Sequence, residues 1–329
     1  MPMVRSDDLL NILADGKFHS GEQLGARMGI GRSAVWKHVR ALSRRGIEIH
    51  AVTGKGYRLA EPLELLDEGL LWEAMAPATR RRIPVLEIHG QTTSTNQLLL
   101  EQGPRLVSGH VCLAESQSAG RGRRGRTWHS PYGRNLYCSL GWRFPEVPLS
   151  FPALGLAVAV GLARTLQSLG LAGVQLKWPN DVQWRGRKLA GILVEMSGES
   201  HGPCTVVVGV GLNILMPPSS AAIDQPWVDL STALGERVSR NRVCARMLDH
   251  LVDVLQVFQD EGLAPFAAEW RAFDALCGKA VTLESGGHTL HGVARGIDAQ
   301  GALLIRHDEG TKRYMAGDVS VRKGHDTPA

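Results

Sequence analysis

With 329 residues and 43% hydrophobic composition, the chain can bury a sizeable core and is long enough for two or three domains of ordinary size. The net charge of +5 is concentrated: residues 1 to 60 hold ten Lys/Arg against five Asp/Glu, which leaves the remainder neutral and excludes a polycation that coats nucleic acid along its whole length. The five cysteines, Cys112, Cys138, Cys204, Cys244 and Cys277, are odd in number, scattered and never in a C-x-x-C pair. That pattern speaks against both a disulfide framework and a zinc site, and favours a reducing cytoplasm. MPMVRSDDLL lacks the charged-then-apolar pattern of a signal peptide. The longest apolar run, Phe151 to Ala163, falls short of the roughly 20 residues that span a bilayer, so it reads as a buried helix and no membrane partner is expected.

In chain order, Leu9, Leu10, Ile12 and Leu13 recur at helical spacing from Asp7 to Ala14 and stop at Asp15-Gly16. Ser20 offers an N-cap for a helix over Gly21 to Met28. Gly29-Ile30-Gly31 makes a tight connection, and Ser33 opens a third helix through Arg45 with Val35, Trp36, Val39 and Leu42 inward. Ile47 to Leu59 alternates around Thr53-Gly54-Lys55-Gly56, a hairpin with a basic tip. Three short helices and a basic hairpin predict a winged helix-turn-helix. Arg32, Ser33, Lys37, His38 and Arg40 would lie on its recognition helix, with Lys55 and Arg58 on the wing. A three-helix interaction domain with a solvated charged face has the same texture, and the charge placement favours DNA.

Glu61-Pro62 breaks the pattern, which places a boundary near residue 64, and Leu63 to Met75 resumes at helix-like spacing. Strand-like and helical stretches then alternate. Val85 to His89, His110 to Glu115, Asn135 to Trp142, Val174 to Trp178, Arg187 to Met196 and Thr205 to Ile214 read as strands. Thr95 to Glu101, Leu154 to Leu169 and Val243 to Phe258 read as helices. This is a mixed α/β domain. Gly209 and Gly211 leave room for a ligand against one strand. After Cys277-Gly278, short strands cut by Ser285-Gly286-Gly287, Asp298-Ala299-Gln300-Gly301 and Asp308-Glu309-Gly310 suggest a small β-barrel. His288 and His291 have no third ligand nearby, and no resident metal is expected. The resulting division is 1–64, 65–276 and 277–329.

Gly120 to Arg126 reads GRGRRGR, three glycines and four arginines in seven residues. Glycines let backbone amides crowd an anion, and guanidinium forks match phosphate or carboxylate oxygens in pairs. The spacing fits neither the G-x-x-x-x-G-K-[ST] loop nor the dinucleotide fingerprint. A flexible solvated segment or an RNA-binding patch has the same composition. The strand-like flanks at Val111 to Ala114 and from Asn135 clamp the run inside the domain, where a disordered tail does not belong. Lys177-Trp178-Pro179-Asn180-Asp181 is a second constellation, in which Pro179 holds Trp178 extended at a strand end. With Lys188 across the turn at Arg185-Gly186, a cation, a carboxylate and an amide converge, although a surface ion pair beside a turn would look similar.

Thr93-Ser94-Thr95-Asn96, Glu115-Ser116-Gln117 running into GRGRRGR, then Trp128, KWPND, RKLAGILVE and GVGLN in that order resemble biotin protein ligases. With the N-terminal helix-turn-helix and the TGKGYRL wing, the chain is similar to the bifunctional bacterial form that also represses the biotin operon. The resemblance covers essentially the whole chain. It implies an α+β multidomain protein: a winged helix-turn-helix, a central mixed α/β biotin/lipoate ligase-like domain and an SH3-like β-barrel.

The implied chemistry has two steps, in which biotin and Mg·ATP give biotinyl-5′-adenylate and a lysine of a biotin carboxyl carrier protein of acetyl-CoA carboxylase then takes the biotinyl group. Ser94, Thr95, Asn96 and Gln117 would serve the ureido head and carboxylate of biotin. Gly120, Arg121, Gly122, Arg123 and Arg126 would close over the phosphates, and Lys188 would bridge the biotin carboxylate and α-phosphate. Trp128 and Trp227 are candidates to pack against the adenylate, although a tryptophan between strands also serves as simple core. Asn180, Gly191, Gly209, Gly211 and Asn213 complete the expected pocket. Asp181 or an adenylate phosphate oxygen would take the acceptor lysine's proton, and Lys177 would steady the developing charge. Metal enters only as the magnesium carried by ATP. Operator DNA and a homodimer of the adenylate-bound form complete the implied partners. A monofunctional ligase with a non-repressor N-terminal domain is the alternative, and a lipoate-type ligase is the nearest enzymatic rival.

Overall fold

The structure is a computed structural model and describes residues 6–147, 151–198, 202–217, 220, 223–285 and 287–321. Gly286, the start of the N-terminal segment MPMVRSDDLL, part of the loop from Pro217 to Pro226 and the end of the third segment lie outside the described residues.

The N-terminal unit comprises α1 (Ser6–Leu13), α2 (Gly21–Met28), α3 (Arg32–Arg44), β1 (Ile49–Val52) and β2 (Gly56–Leu59), the last two an antiparallel hairpin. Ser20 caps α2 in a reciprocal capping box with Gln23, and Gly29 ends it in the left-handed conformation at φ 65°. Gly56, at φ 99°, lies so close to His19 that an added Cβ would stand 2.1 Å from the His19 carbonyl oxygen. Only glycine fits there.

The helical register of α3 corrects one expectation. Val35, Val39 and Leu42 form its buried stripe, whereas Trp36 is 49% exposed with the Arg40 guanidinium 4.9 Å above its ring. One residue of helix turns a side chain by about 100°, enough to take Trp36 off the core face.

The expected helix from Leu63 begins only at Glu68, because Asp67 caps it by accepting from Leu70 N. Before that cap the backbone is tied outward: Leu66 N donates to Glu115 Oε1 at 2.6 Å and Asp67 N to Asn241 Oδ1 at 2.8 Å. There follow α4 (Glu68–Ala74), α5 (Pro77–Arg80), β3 (Val85–His89), α6 (Thr95–Leu100), β4 (His110–Ala114), β5 (Leu136–Phe144), α7 (Leu154–Ser168), β6 (Val174–Lys177), β7 (Asp181–Trp184), β8 (Arg187–Gly198) and β9 (Cys204–Leu212). Then come α8 (Leu230–Leu234), α9 (Arg240–Glu261) and α10 (Ala267–Phe273). The seven strands run in the order β3-β4-β5-β9-β8-β7-β6, with only β3 and β4 parallel.

Strand alternation gives this sheet two different faces. Cys138, Leu140, Val208 and Val210 join α7 and α9 in the main core. Ser139 and Gly209, one residue out of phase, face α6. By composition Phe151–Ser168 could cross a membrane, but 67% of that window is buried, as the core-helix reading requires. The third unit, β10 (Ala280–Ser285), β11 (His288–Ile297), β12 (Leu303–His307), β13 (Gly310–Tyr314) and β14 (Asp318–Val321), is a five-stranded antiparallel sheet ordered β13-β12-β11-β10-β14. Trp178 Nε1 donates to Gly301 O at 3.0 Å and fastens this unit to the central one. His288 and His291, three apart on β11, point to opposite faces and cannot share an ion.

Candidate active site

A cavity of about 820 Å³ opens between α6, the Gln117–His129 loop, the strand ends around Lys177 and Lys188, β9 and the edge of β14. Its floor is glycine because the neighbours leave no space: a Cβ on Gly209 would stand 2.2 Å from Asn96 Oδ1, and one on Gly211 would stand 2.3 Å from Trp128. Polar groups converge above that floor. Ser139 Oγ lies 2.5 Å from Asn96 Oδ1 and 2.7 Å from Thr95 Oγ1, and Thr95 N donates to Gln117 Oε1 at 2.9 Å. Asn96 Nδ2 donates to Glu195 Oε2 at 2.7 Å, and the other oxygen of Glu195 meets Arg121 Nη2 at 3.3 Å. Ser94 sits behind them as the N-cap of α6. This end of the cavity offers neutral donors and acceptors from Thr95, Asn96 and Gln117, backed by the Glu195–Arg121 ion pair.

The opposite end is cationic. Lys188 Nζ is 2.8 Å from Asp181 Oδ1, both side chains mostly buried, and 5.4 Å from the Trp128 ring centroid. Lys177 lies nearby, where burial holds its ammonium below its ordinary pKa against the pull of Asp181. Burial likewise lowers Arg123, with Asp318 opposing it, and Arg123 Nη1 is enclosed without a hydrogen-bond partner. Trp128 Nε1 is also unpartnered in the wall. Buried donors of this kind call for an acceptor, which an anion or polar ligand in the cavity would supply.

The arginine loop is a tight hairpin: Gly122 N donates to Arg126 O at 2.7 Å, and Arg124 takes the left-handed conformation at φ 55°. Arg126 and Arg124 reach Asp318 Oδ2 on β14 at 2.6 and 3.0 Å. Thus Arg126, expected as a phosphate clamp, is held by the third unit while still lining the cavity. Gly120 is the one expected pocket residue that does not line it; it sits behind the loop, where a Cβ would meet the Trp128 carbonyl oxygen at 2.8 Å. Asn180 and Asn213 line the cavity while bracing backbone: Asn180 Nδ2 donates to Ile192 O at 2.7 Å and Asn213 Nδ2 to Val228 O at 3.2 Å. Lys188 N donates to Pro226 O and Val228 N to Lys188 O, which lays Trp227 alongside β8 at the rim.

Residues 89–213 match the biotin/lipoate A/B protein ligase family, residues 276–322 the biotin protein ligase C-terminal domain and residues 5–58 a helix-turn-helix domain. The bifunctional ligase/repressor BirA of Salmonella typhimurium is 41% identical over 95% of this chain and 96% of its own length, and that of Bacillus subtilis 30% identical over 95% and 98%. The chain belongs to the biotin protein ligase family. Among solved biotin protein ligases, that of Aquifex aeolicus in complex with biotin and ATP is similar at a TM-score of 0.64 and 26% identity, covering 73% of this chain and all of that one.

Several residues that brace the ligase cavity or line it carry no sequence signal. Ser139 is in register with Gly209, and Glu195 and Asp318 meet the arginine loop only through pairing across strands and units. Their local sequence carries no signal beyond alternation. On the winged helix, Arg32, Ser33, Lys37 and Arg40 are exposed on α3, and Lys55 is exposed at the hairpin. His38 and Arg58 are less free: His38 Nδ1 pairs with Ser6 Oγ at 3.0 Å, and the Arg58 guanidinium lies 5.0 Å from the Phe18 ring centroid.

Proposed function

We propose that this chain is an ATP-dependent biotin protein ligase and a biotinyl-adenylate-dependent repressor of the biotin operon, divided at residues 1–64, 65–276 and 277–329. One observation carries the reading: a glycine-floored cavity joins a hydrogen-bonding end at Thr95, Asn96 and Gln117 to a cationic end at Lys188 and Arg123. A neutral ureido bicycle with a carboxylate tail, met by a triphosphate, has that polarity.

In the first step a biotin carboxylate oxygen attacks the α-phosphorus of ATP and pyrophosphate leaves. Lys188 neutralises charge between the two anions, and Arg121 and Arg123 close the loop over them. Trp128 and Trp227 wall the adenylate. Magnesium enters with ATP and offsets the charge of the departing pyrophosphate. In the second step the acceptor lysine of a biotin carboxyl carrier protein attacks the acyl carbon, AMP leaves and the amine's proton passes to Asp181 or to a phosphate oxygen. Lys177 supports the developing negative charge. Asp318 lets the C-terminal unit hold the loop through Arg124 and Arg126.

Two adenylate-bound copies would present two α3 helices to a two-fold operator in the cytoplasm. Incubation with Mg·ATP, biotin and a carrier domain, probed with labelled streptavidin, tests the ligase; absence of transfer sinks it. Footprinting of a biotin-synthesis promoter with biotin and ATP present tests the repressor, and no protection leaves the monofunctional ligase.

A further inference from the structure

On the edge of the same sheet, outside the ligase cavity, four metal-binding side chains share one face. Glu87 and His89 are two apart on β3, His110 and Cys112 are two apart on β4, and the parallel register sets Glu87 beside Cys112. One ligand atom from each of Glu87, His89 and Cys112 lies within 4.8 Å of the other two. His89 Nε2 is 3.2 Å from Glu87 Oε2, and His110 Nε2 is 3.3 Å from Glu87 Oε1. Donors around tetrahedral zinc, with bonds of about 2.0–2.2 Å, stand roughly 3.4 Å apart.

A second observation points to a ligand rather than to a chance cluster. His110 is 7% exposed, and its Nε2 is sealed from solvent, faces Glu87 and makes no aligned hydrogen bond. Such a group is costly to bury unless something satisfies it or its carboxylate partner is fixed for a purpose. The Cys112 side chain is fully buried beside Glu87 on the same face of the sheet.

We propose that Glu87, His89 and Cys112 bind one divalent transition ion of the zinc type, with His110 orienting the Glu87 carboxylate from behind. The mixed imidazole, thiolate and carboxylate set suits a borderline ion and disfavours magnesium or calcium. Glu87 and His89 are half-exposed, which gives the ion an entry path and leaves a fourth position open to water. Sequence spacing hides the site because no two ligands form a C-x-x-C or H-x-x-x-H pair; the signal is E-x-H on one strand and H-x-C on its neighbour.

The test uses the full-length chain stripped with chelator and titrated with Co²⁺, then Zn²⁺. One equivalent of cobalt should bind with a near-ultraviolet thiolate-to-cobalt band that zinc abolishes. Glu87→Gln and His89→Gln, which alter half-exposed side chains, should each weaken binding at least about tenfold, and Cys112→Ser should remove the band. Cys277→Ser, which removes the exposed thiol, should leave it intact. No band, a band lost with Cys277, or unchanged affinity in both Glu87→Gln and His89→Gln would overturn the site. Because none of these residues serves the ligase cavity, biotin transfer is an independent readout and should survive in the Glu87 and His89 variants.

Discussion

Lys188 Nζ stands 2.8 Å from Asp181 Oδ1 across the β7–β8 pair, with Trp128 over the ammonium. The carboxylate holds the lysine in place for an anionic substrate. At 4 Å and an effective dielectric near 20, one charge pair is worth roughly 4 kcal/mol before desolvation. Lys188→Met should therefore slow pyrophosphate exchange by about 10²- to 10³-fold with folding intact. A loss below tenfold would remove Lys188 from the chemistry.

Arg123 is an enclosed cation whose Nη1 has no hydrogen-bond partner, on a loop tethered elsewhere through Arg124 and Arg126. Arg123→Gly should leave adenylation partly intact but let the reactive intermediate escape. Mixed with unrelated lysine-rich proteins, biotin and ATP, the variant should label them. If bystander proteins stay unlabelled, the flap model fails.

Gly209→Ala would drive a Cβ to 2.2 Å from Asn96 Oδ1, and backbone on a central strand cannot yield. Overpacking of this kind costs about 1–3 kcal/mol, so the KM for biotin should rise roughly tenfold with that for ATP nearly unchanged. Equal shifts in both would put Gly209 outside the biotin end.

Tyr132, at the base of the arginine loop, is buried in the winged-helix core, with the Arg45 guanidinium 4.7 Å from its ring centroid. Arg45 also pairs with Asp7 at 2.7 Å. The residue links the ligand loop to the DNA-binding unit. Tyr132→Ala should cost about 3–5 kcal/mol of that packing, separate a low-temperature melting transition for the winged helix, and weaken operator binding while carrier labelling persists. A single unchanged transition would count against the coupling.

Glu64 fastens the segment between these units to the start of α9, accepting from Ser239 Oγ at 2.6 Å, Arg240 N at 2.7 Å and Asn241 Nδ2 at 2.9 Å. Burial raises its pKa, but the hydrogen bonds from Ser239, Asn241 and the two backbone amides outweigh it and hold the carboxyl below its ordinary 4.5. The stabilisation is thus complete above pH 4.5 and lost as pH falls through the lower folded value. The gap in Tm between the parent and Glu64→Gln should be widest near neutrality and close below pH 4.5. A gap that is constant with pH would contradict this.

Local periodicity and capping residues were enough to read most of the helices and strands, because those signals lie within a few residues of one another. Ser20 before Gly21–Met28 and the alternation of Cys204–Leu212 are examples. Shorter pieces such as β7 and α10 are too brief to show a period, and Trp36 lies on the surface because a single helical step separates it from the core stripe. The glycine-arginine loop, KWPND and Lys188 were likewise legible, since each motif carries its chemistry in adjacent residues. What the tertiary structure alone decided is who faces them: Ser139 opposite Asn96, Glu195 on Arg121, Asp318 on Arg126 and Tyr132 beneath Arg45. Those pairings depend on strand register and on the docking of three units. Both are set by long-range burial, on which the spacing of residues along the chain is silent.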